Sequence, residues 1–461
     1  MEDLIKGELD WHNKVNENFH EVDSQMAENT QQINDIICDL RKYENLKNDN
    51  DWTSALQKAI DDGYPNIYIP FPIQISTVTI PPNRPIKIWT NWYINIYGTP
   101  LITILQGGEG IKFEGSKGTL STGVILDSLS FTSLSESVIS AIHGTSLSGF
   151  SFKNLYFGQI KGSAFILDGQ SQDGDLDFIH CVDCGDTDKS VAQYGDDSHD
   201  SNRLSTRNLR IERSSGLMLD IRGNAYAIDF TDIKLHGSSA STGLLKLSTQ
   251  SSGIRFSGGQ ISLNSSGDTV TIDGNSNILD GLFISNGLGL GVDISNAIKN
   301  IGIGTKIINN VFSNMVDYVL TSSGESATIK NNTFLSCGRV KITGAFTNYL
   351  NNQHINSDVG DGTNPDPYRI LDFNGSYGNC ADNVFKNNTN TITAAIQNGG
   401  IGNSFRGNKA YDSHFYHTIS DVGTLSAFSH NFGKAILGSV INKNTATNAN
   451  NVYDTTNIGI A

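Results

Sequence analysis

The sequence is poor in residues that would staple it, charge it or carry it through a membrane. Five cysteines in 461 residues, an odd number in a long chain, do not make a disulfide framework. Lysine and arginine total 32 against 47 aspartates and glutamates, leaving a net charge of −15. Nucleic-acid binding needs a basic groove, so that class is excluded. The same charge opposes long-range attraction to an anionic wall or capsule, and an acidic glycan would have to be held by local contacts. No apolar run is long enough to span a membrane. The start, Met1-Glu2-Asp3-Leu4-Ile5-Lys6, has no signal-peptide apolar region. A chain made in a cytoplasm, with no membrane insertion, is the expectation. Proline and tryptophan are nearly absent from the larger part: seven of nine prolines lie between Pro65 and Pro100, and no tryptophan follows Trp92. Only 17% of residues are charged, so Ser, Thr, Asn and the 47 glycines fill the surface and the turns.

What is present is a repeat. Ile308-Asn309-Asn310-Val311-Phe312 returns as Lys330-Asn331-Asn332-Thr333-Phe334, with looser copies at Tyr349-Leu350-Asn351-Asn352, Asn383-Val384-Phe385 and Asn403-Ser404-Phe405. Upstream the apolar beat continues through Phe152/Leu155/Phe157, Leu176/Phe178 and Phe230/Ile233/Leu235. A period of roughly 20 to 25 residues with two-residue alternation is that of a solenoid whose coils are strands. The joins are Gly, Ser and Asn, which accept left-handed backbone. Leucine-rich repeats would need fixed leucines, and helical repeats are longer and poorer in glycine. The fold class is therefore all-β: a right-handed parallel β-helix, its Asn-Asn pairs stacked rung on rung at a sharp turn as structural ladders.

The first segment differs in kind. Val15, Phe19, Val22, Met26, Asn29, Ile33, Ile36, Leu40 and Tyr43 follow 4-3 spacing, an a/d seam held for four heptads. Such a seam predicts an α-helical coiled-coil stalk, with Asn29 setting register and strand number. Next, Asp51 caps a short helix with the apolar face Trp52, Leu56, Ala59 and Ile60, and Gly63 ends it. Asn66-Ile67-Tyr68-Ile69-Pro70 reads as a strand entering a turn. The expected division is residues 1–46 as stalk, 47–100 as a cap, 101–410 as β-helix, and 411–461 as a C-terminal cap or trimer clamp.

Asp51-x-Thr53-x-Ala55-Leu56-Gln57-x-Ala59-Ile60-Asp61, followed by Ile67-Tyr68-Ile69-Pro70, resembles the opening motif of pectate-lyase-like β-helix proteins, bacteriophage tail spikes among them. Gly63-Tyr64-Pro65 stands where that family has a longer glycine-rich stretch. The resemblance implies a helix capping the N-terminal mouth of the solenoid and a homotrimer. It also implies attachment to the phage tail or baseplate through the N-terminus, and a bacterial cell-surface glycan met along the β-helix. The implied location is the virion.

Two insertions interrupt the rhythm, residues 183–203 and 357–372, and insertions in a solenoid emerge as loops that often carry function. Beside the first is Asp173-Gly174-Asp175-Leu176-Asp177-Phe178. If Leu176 and Phe178 point inward, Asp175 and Asp177 project outward, roughly 6.5 to 7 Å apart. Asp196 and Asp197 follow Asp177 by about one coil, so these carboxylates are expected to converge as a glycoside-hydrolysing pair. The pattern is similar to the polygalacturonase branch of the superfamily, which implies that Asp177, Asp196 and Asp197 form the catalytic trio. Asp175 replaces an asparagine of that branch. Its later Gly-His-Gly and Arg-x-Lys elements have no counterparts, and His199 and Arg210 are secondary candidates for their roles. Tyr194, Asp200 and Arg203 are the expected substrate-binding residues.

Other signals are structural. Cys181-Val182-Asp183-Cys184 has no second pair at zinc spacing and reads as buried small hydrophobes. Asp173-x-Asp175-x-Asp177 lacks the glycine of a calcium loop, where Phe178 stands. Asp358, Asp361, Asn364 and Asp366 are the remaining calcium candidates, and otherwise form a polar turn. No cofactor is expected. The functional expectation is a tail spike that recognises, and by its acids depolymerises, a surface polysaccharide or wall glycopolymer, as a hydrolase before a lyase. The alternatives are a non-catalytic adhesin or tail-fibre component, and a free carbohydrate-active enzyme.

Overall fold

The structure, a computed structural model, describes residues 11–91, 101–133, 138–238, 241–264, 270–286, 297–356, 369–386, 392–411, 415–434, 438–446 and 449–460. Forty-three short strands join one continuous sheet, wound into a right-handed-type parallel β-solenoid of about 15 turns. Each turn crosses three faces. Face A is made by strands such as Ser163–Asp168, Ala192–Tyr194 and Gly216–Ile221. Faces B and C share single bent strands, Gln172–Val182, Asn202–Glu212 and Tyr226–His236. Period-two alternation in the sequence becomes in-and-out alternation on each face. The inward positions align in columns: Leu167, Tyr194, Ile221 and Leu247 on face A, and Cys181, Ile211, Leu235 and Ile261 on face C.

The corner between faces B and C explains the Asn-Asn phrase. Its first residue adopts left-handed backbone, at Asn309 (φ 58°), Asn331 (58°) and Asn351 (51°). Its second is buried in a ladder. The Asn332 Oδ1 accepts from the Asn310 backbone N–H (2.9 Å) and Nδ2 (3.1 Å), while its own Nδ2 donates to the Ile307 carbonyl (2.8 Å) and Asn352 Oδ1 (3.0 Å). The pattern continues through Asn383, Asn408, Asn431 and Asn457. Beside it the phenylalanines of the phrase stack. Phe312 lies 4.7 Å from Phe334, and His354 takes a place in the column between Phe334 (4.5 Å) and Phe385 (4.8 Å). Burial drives the His354 pKa down to about 3, so the ring is a neutral member of an aromatic stack.

The short helix forms where the sequence predicts it. The helix Thr53–Asp61 buries Trp52, Leu56, Ala59 and Ile60, and Asp51 Oδ1 accepts from the Thr53 N–H at 2.8 Å. Gln57 stitches the helix to the first turn, accepting from Thr79 N–H (2.7 Å) and donating to its carbonyl (2.9 Å).

Three expectations change. The N-terminal helix runs Trp11–Ile36, and Leu40 and Tyr43 leave the seam: they are buried in the 3-10 helix Leu40–Leu46 against the cap. Ile37–Asp39 already pairs with Asn66–Tyr68, so the solenoid begins there. Residues 183–203 are not an excluded loop, because Ala192–Tyr194 supplies face A of an ordinary rung between 163–168 and 216–221. The last fifty residues keep the repeat, since Asn431, Asn457 and the Phe428–Tyr453 stack carry it to Ile458–Ile460. The polar cluster at 358–366 lies outside the described residues, as does Trp92.

Truncating the ladder tests its weight. Asn332→Ala leaves the buried Asn310 N–H and Ile307 carbonyl without partners, at about 1–3 kcal/mol each. Guanidinium unfolding should show the midpoint falling by an amount equivalent to about 2–5 kcal/mol, and an unchanged midpoint would refute the ladder's structural role.

Candidate functional site

The acids singled out in the sequence do not meet. Asp175 and Asp177 project from face B as expected, with Leu176 inward, but Phe178 points out, 60% exposed, at a left-handed φ of 55°. Asp175 is paired with Arg207 (3.1 Å) and Lys153 (3.9 Å). Asp177 accepts from Asn208 Nδ2 (2.9 Å) and lies 3.4 Å from Arg207. These cations come from the adjoining rungs in direct register, so the face B acids form a structural charge ladder.

Asp196 stands elsewhere, on the turn that joins face A to face B. Its Oδ2 accepts from the Gly169 N–H at 2.7 Å, and its Oδ1 from Ser198 N–H (2.6 Å) and His199 N–H (2.8 Å). His199 Nδ1 lies 3.1 Å from both oxygens. Between Gly169 and Asp177 runs the extended strand 172–177, about 17 Å long, so Asp177 and Asp196 cannot share a glycosidic bond. Asp197 and Asp200 are exposed on the same turn as Asp196. Tyr194 is wholly buried, bonded to Thr206 Oγ1 at 2.9 Å, and cannot touch a substrate. Arg203 is tied to Asp173 on face B (2.9 Å). Arg210 lies on face C, 2.7 Å from Glu212, with Lys234 at 3.1 Å from the same carboxylate. Burial there opposes the charge on Glu212, yet the two cations prevail and hold its pKa at about 2. His180, Arg210 and Lys234 line a depression of about 300 Å³ beneath Phe178.

What gathers around Asp196 was not visible in the sequence. Face A brings His143, outward on Ser140–Thr145, between two carboxylates: Glu109 Oε1 lies 2.6 Å from Nδ1 and Asp168 Oδ2 lies 2.8 Å from Nε2. Lys112 Nζ pairs with Glu109 Oε2 at 2.9 Å. The second oxygen of Asp168 is buried and has no hydrogen-bond partner among the described residues. Asp168 immediately precedes Gly169, whose N–H binds Asp196. Standard bond lengths therefore put the carboxyls of Asp168 and Asp196 within about 7 Å of each other. Glu109, His143, Asp168, Asp196 and His199 thus occupy one end of face A and its corner.

Protonation in this group is set by its partners. Burial works against an imidazolium at His143, but the bonds to Asp168 and Glu109 outweigh it and raise the pKa above its ordinary value. Burial opposes ionisation of Asp196, but the Ser198 and Gly169 amides and His199 lower its pKa, and it stays a carboxylate. The corner therefore offers one carboxyl backed by a proton-holding imidazole and one fixed anion. Among the described residues no group of three or more His, Cys, Asp or Glu is placed to hold a metal ion. Cys181 and Cys184 are buried, and burial pushes the Cys184 thiol up to about 12.

No protein-family model and no curated protein matches the chain. Among solved structures it is similar to ORF18 of Geobacillus virus E2, with 12% identity and a TM-score of 0.44 over 87% of this chain and 65% of that one. It is also similar to tailspike protein 3 of bacteriophage CBA120, with 11% identity and a TM-score of 0.41 over 94% and 63%. A third is tailspike gp49 of Acinetobacter baumannii bacteriophage Fri1, a capsular polysaccharide depolymerase, with 10% identity and a TM-score of 0.39 over 88% and 64%. The chain spans less than two thirds of the length of each. At these levels no residue of theirs is matched to one here.

The raised pKa of His143 has a signed consequence. A histidine whose folded pKa exceeds its unfolded value of about 6.5 contributes stability that is complete below that value and lost as pH rises through the folded pKa. Thermal unfolding of the protein and of His143→Gln should differ most at pH 6 and converge in alkaline buffer. A gap that widens with pH would contradict the two-carboxylate arrangement.

Proposed function

We propose that the chain is the β-helix of a homotrimeric phage tail spike that holds a bacterial surface polysaccharide along its side and hydrolyses it at the corner of face A. The observation that carries this reading is the approach of Asp168 and Asp196 across Gly169. Glycosidases use paired carboxyls roughly 5 to 9.5 Å apart, and a corner open to solvent admits a chain that is too long for a closed pocket. In this reading the imidazolium of His143 passes its Nε2 proton through Asp168 Oδ2 to the leaving sugar oxygen. Asp196, kept ionised by the amides of its turn, takes a proton from the water whose oxygen bonds to the anomeric carbon as the glycosidic bond breaks. His143 holds the proton between the two carboxylates, and Asp168 orients it toward the corner. Two converging carboxyls favour hydrolysis over elimination.

The trimer rests on the N-terminal helix. Phe19, Val22, Met26 and Ile36 are exposed on one seam of Trp11–Ile36. Apolar burial at about 25 cal/mol per Å² favours covering such a stripe with further copies of itself. The solenoids then stand side by side, with the helix toward the virion.

Two experiments test the reading. Incubated with capsule or wall polysaccharide of the host, the protein should release new reducing ends. Asp168→Asn and Asp196→Asn should each lower the rate by about 10²-fold or more, while Asp177→Asn stays near the parent rate. Binding without new reducing ends would identify an adhesin instead. Light scattering should give a trimer, and Phe19→Glu with Met26→Glu a monomer with unchanged β-sheet circular dichroism; a monomeric parent would remove the stalk from the proposal.

A further inference from the structure

Face A carries a second arrangement far from the corner. Lys246, Thr271, Lys299, Thr321 and Lys341 are direct register partners on successive rungs. A lysine therefore stands at every second rung of one outward column, and the lysines repeat at about 9.6 Å. Lys246 and Lys299 are exposed, and neither has a carboxylate within ion-pair distance among the described residues. Facing acids would be the ordinary way to balance such a row, as Asp175, Asp177 and Glu212 balance the cations of faces B and C. Here the rungs between carry threonine, and the acids of the column flank the row: Asp220, paired with Arg222, next to Lys246, and Asp372 next to Lys341.

The row ends in a built cluster. Asp372 is the register partner of Lys341 on one side and of Gln397 on the other. Asp372 is 7% exposed, and its Oδ1 and the Gln397 Oε1 are both buried without a hydrogen-bond donor among the described residues. Tyr318 Oη donates to Asp372 Oδ2 at 3.4 Å, and Arg369 Nη1 lies 3.8 Å from Oδ1. Arg339 and Lys341 each sit 5.7 Å from the Tyr318 ring centroid. Three cations thus surround one carboxyl in a chain of net charge −15. Burial pushes that carboxyl up in spite of Arg369 and Arg339. Unsatisfied buried acceptors carry a cost of about 1–3 kcal/mol each, and polyhydroxyl ligands supply the missing donors.

We propose that face A binds an anionic polysaccharide lengthwise, its acidic groups meeting Lys246, Lys299 and Lys341 at every second rung and a sugar unit seated at Asp372 and Gln397. The cluster lies eight rungs from Asp168, roughly 38 Å along the axis, so it holds a distant part of the same polymer and takes no part in cleavage. This rests on the glycan reading above and specifies its substrate class: a linear polyanionic glycan whose charges recur often enough to meet lysines about 10 Å apart. A carboxylate of a uronic acid and a phosphodiester of a wall polymer present the same charge to a lysine.

Calorimetric titration separates the possibilities with three defined hexamers: oligogalacturonate, oligo(glycerol phosphate) and maltohexaose. At least one anionic hexamer should bind the parent protein, more tightly at low salt, and the arm that binds identifies the source of the charge. Lys246→Gln with Lys299→Gln and Lys341→Gln, all on the surface, should weaken that binding at least tenfold while the unfolding midpoint stays put. Arg339→Ala should weaken it separately. Binding of neither anionic hexamer, equal binding of maltohexaose, or full affinity in the triple variant would overturn the inference. Release of reducing ends from a neutral host glycan, abolished in Asp196→Asn, would overturn it too while leaving the proposed function intact.

Discussion

Parallel stacking at about 4.8 Å per rung is the constraint on which the rest of this molecule depends. Each turn must repeat the backbone of the one below, so each corner must return the same left-handed residue and the same answer to its buried amides. At the B–C corner the answer is the asparagine ladder, in which each side chain binds the backbone of the preceding rung and donates to the side-chain amide of the next. At the A–B corner it is a column of glycines at 302, 324, 344, 375, 400 and 423, where a Cβ on each would overlap the carbonyl of the glycine one rung away. Side-chain identity is fixed at these corners by geometry, and none of that sequence is available for chemistry.

Function is consequently confined to outward positions, and register gives those positions an unusual property. Residues far apart in the chain become neighbours in straight columns, so a single face can present a regular series. Face B spends its columns on salt bridges between Asp175, Asp177, Lys153 and Arg207. Face A leaves Lys246 and Lys299 outside any ion pair among the described residues and gathers a histidine with carboxyls at one end, around His143. The contrast between the two faces, built from the same rungs, is what marks face A.

The scaffold was readable because its signals are local. Asn309-Asn310 and Asn331-Asn332 state the corner directly, and Trp52, Leu56, Ala59 and Ile60 state the buried face of the capping helix. The site was not readable, because rung length is not constant. Phe312 and Phe334 are register partners 22 residues apart, but Asp177 is partnered by Arg207, 30 residues on. Taking the 19 residues from Asp177 to Asp196 as one rung therefore placed Asp196 on the wrong face. His143 finds Glu109 and Asp168 at separations of 34 and 25 residues, and no spacing rule links three such positions. The heptad misled in a different way. Leu40 and Tyr43 continue the 4-3 spacing, yet the cap offers them deeper burial than a seam would, and the helix ends at Ile36.

Net charge and local charge act over different distances here, and that resolves an apparent conflict. A protein of net −15 repels a polyanion, but at physiological salt the repulsion decays over about 8 Å. The lysine row is spaced at about that distance, so a polymer lying on face A feels each lysine directly and the remainder of the surface weakly. Long-range repulsion then slows encounter and short-range pairing sets affinity. A row of single lysines also lets a chain slip by one repeat at little cost, since each ammonium is a point charge without directional demand. The Asp372–Gln397 cluster combines cations with buried acceptors that lack donors among the described residues. On the proposed reading, register of the polymer on the face is decided there, and the corner at Asp168 receives the bond that this register delivers.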